Sequence, residues 1–166
     1  MTSEIEIRPE SERDAEAIGQ LIQLAFTGMP YADGNEAELV VALRAQDALS
    51  VSLVADREGA VVGQVVFSPA RASDGGEGWF ALGPVAVLPE FQGRGIGSAL
   101  IRAGLRDITE MGASGCILTG NPAYYSRFGF ELSPESAPPG EPAEFFMVKL
   151  LRGDVPVGSI YFHEAF

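Results

Sequence analysis

Between Trp79 and Met111 the chain passes from an apolar stretch, through Gly93, Gly95 and Gly97, into a helical pattern, and no other segment restricts the fold as much. Trp79–Val87 is apolar enough for a central strand. From Gly95 to about Met111, residues Ile96, Leu100, Ile101, Leu105 and Ile108 share one helical side, and Gly112 supplies a C-cap. Cys116-Ile117-Leu118 then reads as a short buried strand. A strand, a helix and a strand in that order make a crossover, which returns the chain parallel to its first strand. Gly83-Pro84 interrupts the first strand, and because proline removes a ladder donor a bulge is expected there.

Around this unit the pattern is mixed. Ile5-Glu6-Ile7-Arg8 alternates like a strand, Pro9 stops it, and Ser11-Glu12-Arg13-Asp14 suits a helix N-cap. Ile18, Leu21, Ile22 and Ala25 then fall on one face, before a loop over Thr27–Asn35. A second amphipathic helix runs from about Glu36 to Gln46, with Leu39, Val40 and Leu43 inward. Val51–Ala55 and Val61–Phe67 form an antiparallel hairpin about Asp56-Arg57-Glu58-Gly59. After a Gly/Asp loop over Ser73–Gly78 and the crossover unit come one or two helical turns at Pro122–Phe128. A loop over Ser133–Pro142, a strand over Glu144–Leu150 and a further strand near Gly158–Tyr161 complete the chain. Hairpins combined with one crossover give an α+β fold with a mixed sheet, not a doubly wound parallel one. No internal repeat is visible, and residues 1–166 read as a single domain.

Composition bears on what such a fold can bind. The 11 basic and 23 acidic residues give a formal charge of −12, which opposes nucleic-acid binding unless cations are segregated. Residues 91–106 hold Arg94, Arg102 and Arg106 and no acid, so that segment is +3 and the remainder −15. This suits one pyrophosphate and falls short of a nucleic-acid footprint. Cys116 is the only cysteine, so neither an intramolecular disulfide nor a thiolate zinc site can form, and a reducing cytoplasm is expected. Met1-Thr2-Ser3-Glu4 lacks the basic start of a signal peptide, and no apolar run approaches the roughly 18 residues of a membrane span. Neither a membrane nor a metal is expected as a partner.

The turn from strand to helix is built to hold an anion, because glycines admit close backbone approach and the first N–H groups of the helix point outward at the positive end of its dipole. Arg94 adds a charge-assisted contact. A dinucleotide fingerprint fails, since the last position of G-x-G-x-x-G is Leu100 counted from Gly95 and Ser98 counted from Gly93. A Walker A loop fails too, because the only lysine is Lys149. Gln92-Gly93-Arg94-Gly95-Ile96-Gly97 instead resembles the Q/R-x-x-G-x-G/A signature of the GCN5-related N-acetyltransferases (GNAT), where it cradles the pyrophosphate of acetyl-CoA. Downstream, Asn121-Pro122-Ala123-Tyr124-Tyr125-Ser126-Arg127-Phe128-Gly129-Phe130 is similar to the family's A-x-x-[FY]-Y-x-[RK]-x-G-F segment. The stretches 35–44 and 158–166 resemble the bacterial subgroup called YhbS-like.

The resemblance implies a GNAT fold: a mostly antiparallel twisted sheet with a splayed parallel strand pair, flanked by helices. It implies acetyl-CoA as co-substrate, aligned by the backbone of Val85, Ala86 and Val87 and held by Gln92, Gly93, Arg94, Gly95, Ile96, Gly97 and Ser98. Tyr125 takes the position of the catalytic acid near the CoA sulfur, and Tyr124 is assigned to packing. Asn121 is a cofactor contact by position, although it stands only four positions before Tyr125 where many family members have a longer spacing. Transfer to a primary amine of a small molecule or protein would be direct, with Cys116 a core residue and not a nucleophile. The base is open among Glu36, Glu38, Glu77 and water, and with His163 the lone histidine a His-based metal site would lack its other ligands. A cofactor-holding domain without turnover, an acyl-CoA sensor or partner domain, is the alternative. A monomer and a homodimer both fit.

Overall fold

Burial of alternating and helical apolar faces yields strands β1 (Ile5–Pro9), β2 (Val51–Arg57), β3 (Ala60–Pro69), β4 (Arg71–Ala72), β5 (Trp79–Val87), β6 (Gly115–Thr119), β7 (Glu131–Leu132), β8 (Phe146–Leu150) and β9 (Ile160–Tyr161). The helices are α1 (Ala15–Phe26), α2 (Glu36–Ala45), α3 (Ile96–Glu110) and α4 (Pro122–Tyr125). These assignments come from a computed structural model, which describes residues 4–29 and 34–166. Met1–Ser3, on which the signal-peptide reading rests, and the middle of the expected 27–35 loop lie outside the described residues.

Seven strands form one sheet in the order β1-β2-β3-β5-β6-β8-β7, and β4 pairs with β9 in a separate two-stranded ribbon. β1 and β2 are antiparallel, as are β2 and β3, β6 and β8, and β7 and β8. β5 and β6 are the parallel pair, joined through α3, and their register runs from Trp79↔Gly115 to Ala81↔Ile117. The mixed α+β sheet with one crossover is therefore as the sequence indicates.

Several local expectations change. Ser11 caps as expected, its N–H donating to Asp14 Oδ2 at 2.7 Å, but the turn it opens is a 3-10 turn at Glu12–Asp14 that precedes α1. The interruption in β5 takes the form of a cis Gly83-Pro84 peptide with Gly83 at φ +141°, and the β2–β3 hairpin has a register shift between Ala55 and Asp56. The last long strand begins at Phe146 and not at Glu144, because Ala143–Phe145 closes a 3-10 turn in which the Phe145 N–H bonds Pro142 O at 3.0 Å. The short strands β4 and β7 carry no sequence signal at two residues each.

The chain divides into two compact units. The first contains the described chain through Phe67, Gly83–Arg106 and Ala165. Its core joins Ile18, Leu21, Ile22 and Ala25 of α1 and Val40 and Leu43 of α2 to Val54, Val66 and Ala86 of the strands. Arg8 ties β1 to this unit by ion pairs to Asp14 at 2.8 Å and to Asp56 at 3.1 Å, and the guanidinium holds the Asp14 carboxyl well below the usual carboxylate range. Arg44 of α2 pairs with Glu10 at 3.1 Å, which also accepts from Ser52. Helix α3 approaches β3 so closely that a Cβ on Gly104 would lie 2.0 Å from the Phe67 ring. The second unit comprises Ser68–Leu82, Asp107–Glu164 and Phe166, with a core of Ala72, Trp79, Ala81, Ile117, Phe146, Val148 and Ile160.

The Gly104 contact predicts that Gly104→Ala destabilises the protein by about 1–3 kcal/mol, because Phe67 is fully buried and has no room to yield. Chemical denaturation of both proteins measures the difference.

Candidate active site

The strand-to-helix turn lies wholly in the first unit. After β5 the chain makes a 3-10 turn at Pro89–Phe91, and the Leu88 N–H bonds Val62 O at 2.9 Å. The Gln92 carboxamide then turns back, its Nε2 donating to Val87 O at 3.0 Å. Gly93 and Gly95 have φ of +77° and +82°, and a Cβ on either would meet nothing within 4 Å. Glycine is needed at both positions for backbone conformation and not for space.

The first bond across the helix start runs from Ala99 N–H to Gly95 O at 3.0 Å. The N–H groups of Ile96, Gly97 and Ser98 precede it, and at the start of a 15-residue helix they face the positive end of the dipole. Gln92 through Gly95 are exposed, and the Ile96 side chain anchors the helix start in the core at 7% exposure. The turn thus combines outward backbone donors with the Arg94 guanidinium, which is the arrangement an anion requires.

A cleft of about 240 Å³ adjoins the turn. Val85, Ala86, Val87 and Gln92 form one wall, and Ala25, Phe26 and Met29 at the end of α1 form the other. The residues expected to align the thioester therefore border a cleft with an apolar opposite wall. Phe26 and Met29 carry no sequence signal as site residues, because nothing local distinguishes them from ordinary helix-end apolar side chains.

In the second unit, Asn121 caps α4, its Oδ1 accepting from the Ala123 N–H at 2.9 Å. The carboxamide oxygen is thereby engaged locally, and Nδ2 is the donor group of this side chain. Tyr125 ends α4, and its ring packs 6.3 Å from both Phe128 and Phe130. It rests directly on Gly120, where a Cβ would come within 2.6 Å of the ring. Burial, assisted by neighbouring Tyr124, pushes the Tyr125 hydroxyl up to about 12, so its proton is retained throughout the neutral range. Tyr124 stacks edge-on with Tyr125 at 5.0 Å, and the Arg127 guanidinium lies 4.6 Å from its ring centroid. That is the packing role expected of Tyr124.

Cys116 is fully buried in β6, and burial pushes its thiol pKa well above the usual range, so a nucleophilic thiolate is not formed there. Glu38 and Glu77 are exposed, Glu36 and His163 half-exposed. Among the described residues no group of three or more potential ligands is gathered around a metal position, and no helix is long and apolar enough to cross a membrane.

Residues 48–132 match the family model for the acetyltransferase (GNAT) domain, a span that includes both the glycine turn and Tyr125. The chain belongs to the GNAT acetyltransferase family. It is 38% identical over 128 residues to the uncharacterized N-acetyltransferase YhbS of Escherichia coli, covering 76% of this chain and 74% of that protein. A GNAT acetyltransferase from Brucella melitensis, solved in complex with acetyl-CoA, is 40% identical and superposes with a TM-score of 0.87 over 99% of both chains. The E. coli YhbS structure in complex with CoA is 31% identical, with a TM-score of 0.88 over 99% of this chain and 93% of that one. Membership makes the protein an acetyltransferase, and acetyl-CoA is the co-substrate of its family.

The environment of Tyr125 predicts its titration. Its folded pKa lies above the unfolded value of about 10, so the neutral phenol is retained to higher pH in the native state. Any stabilisation from this retention is complete below pH 10 and is lost as pH rises toward 12. The difference in phenolate absorbance between wild type and Tyr125→Phe should show one tyrosine ionising near pH 12.

Proposed function

We propose that the protein transfers an acetyl group directly from acetyl-CoA to a primary amine of a small molecule or protein. The observation that carries the reading is the positive-φ glycine turn at the start of α3, whose backbone donors and Arg94 suit a pyrophosphate. Gln92 through Ser98 bind the phosphates, and the backbone of Val85–Val87 aligns the thioester. Asn121 contributes its free amide hydrogens to the cofactor. Family membership and the acetyl-CoA complex of the Brucella relative support the same assignment.

Orientation supplies much of the rate enhancement, since donor and acceptor held together react as if at very high local concentration. The neutral amine attacks the thioester carbonyl, and a backbone N–H of β5 stabilises the oxyanion that forms. Collapse of the tetrahedral intermediate breaks the carbon–sulfur bond, and Tyr125 Oη donates to the departing sulfur. The proton released from the amine nitrogen passes to solvent or to one of the carboxylates Glu36, Glu38 and Glu77. No acyl-enzyme forms, in keeping with the inaccessibility of Cys116. The reading extends to a single domain over residues 1–166, acting as a monomer or homodimer in the cytoplasm without nucleic acid. The lone buried cysteine and the −12 charge support that setting.

An amine panel monitored by thiol release tests the activity, and Tyr125→Phe tests the acid. The variant should lose at least tenfold in acetyl transfer while keeping CoA affinity nearly unchanged. Undiminished turnover would remove Tyr125 from the mechanism. Wild type that binds CoA but releases no thiol across the panel would favour the sensor reading. In thermal-shift measurements, CoA and acetyl-CoA should raise the unfolding midpoint, while ATP and NAD should not.

A further inference from the structure

The turn that enters the glycine loop carries a feature that belongs to no phosphate motif. The Phe91 ring meets two guanidiniums, Arg94 with Cζ 5.2 Å from the ring centroid and Arg57 with Cζ 5.4 Å from it. Both distances fall within the roughly 6 Å over which a cation is attracted to an aromatic face. Arg94 lies inside the loop, but Arg57 is the last residue of β2 and is held in register on both sides, opposite Ile5 of β1 and Ala60 of β3. The same hairpin holds the turn by a second tie, the 2.9 Å bond from Leu88 N–H to Val62 O. A residue whose backbone is fixed in the sheet is thus connected through one ring to Arg94, the cation of the glycine turn.

We propose that Phe91 and Arg57 are positioning residues for the cofactor's phosphates, a role that rests on the acetyl-CoA reading above. Arg94 is exposed and would otherwise sample many rotamers. Stacking on Phe91 restricts those rotamers before the cofactor arrives, which lowers the entropy given up on binding. Arg57 in turn fixes the ring.

Calorimetric titration with CoA and with pantetheine, which lacks the phosphates, tests the proposal. Phe91→Leu keeps an apolar side chain but removes the aromatic face. It should raise the CoA dissociation constant about threefold to tenfold and leave pantetheine binding unchanged. Phe91→Tyr should restore CoA binding, and Arg57→Gln should weaken it in the same direction as Phe91→Leu. Arg57→Gln carries the test if Phe91→Leu does not fold. CoA affinity unchanged in both variants overturns the proposal, as does an equal loss for pantetheine, which would indicate a general structural defect. Wild type that binds no CoA overturns the acetyl-CoA reading itself, an outcome separate from either of these.

Discussion

Everything about the glycine turn of this protein depends on a backbone constraint: a strand must end and a helix must begin within a few residues, with the helix's first N–H groups left facing outward. L-residues rarely adopt the positive φ that Gly93 and Gly95 take, so the turn is written into the chain by those two glycines. Their side-chain space is open to solvent, which leaves room for a ligand to approach the donors. The position of the helix start is then fixed from behind by the close approach of Gly104 to Phe67 and by the buried Ile96. The donors can stay unsatisfied because the helix they begin is held by apolar packing along its other face.

This division of labour explains what is legible in the sequence. The amphipathic faces of α1 and α3 repeat every three or four residues, so their buried positions follow from spacing alone. The glycine turn is legible because backbone conformation leaves a residue-type signature. The cis peptide at Gly83-Pro84 can be located but not described, since proline signals an interruption without specifying its form. β4 and β7 escape notice at two residues each, whereas β9, equally short, falls within the expected strand near Gly158–Tyr161. The Arg57–Phe91 contact is hidden for a different reason, being a meeting in space of residues distant in the chain. The walls that Phe26 and Met29 give the cleft are hidden likewise.

Charge follows the same logic. A −12 chain can hold a polyanionic cofactor because the relevant field is local. At about 10 Å of screening under ordinary salt, the outward backbone donors and Arg94 dominate the turn, and distant carboxylates contribute little. Arg57 adds a second cation that the count over residues 91–106 does not include. The acidic remainder lies outside residues 91–106 and bears less on that turn than the local donors do.

The raised pKa of Tyr125 also limits what that residue can do. An ordinary thiol has a pKa of about 8.5, so full transfer of a proton from a phenol near 12 to a free thiolate is uphill by on the order of 5 kcal/mol. A phenol in that position therefore works best as a hydrogen-bond donor to sulfur while negative charge develops, with complete transfer only as another proton replaces the one given up. Solvent supplies that replacement, and it can also take up the proton the nitrogen releases once it has bonded to the carbonyl carbon. Burial against Phe128 and Phe130 keeps Tyr125 neutral at any physiological pH, as the proposed acid role requires. The pH dependence of turnover should then reflect deprotonation of the acceptor amine, with Tyr125 contributing no ionisation of its own below about pH 10.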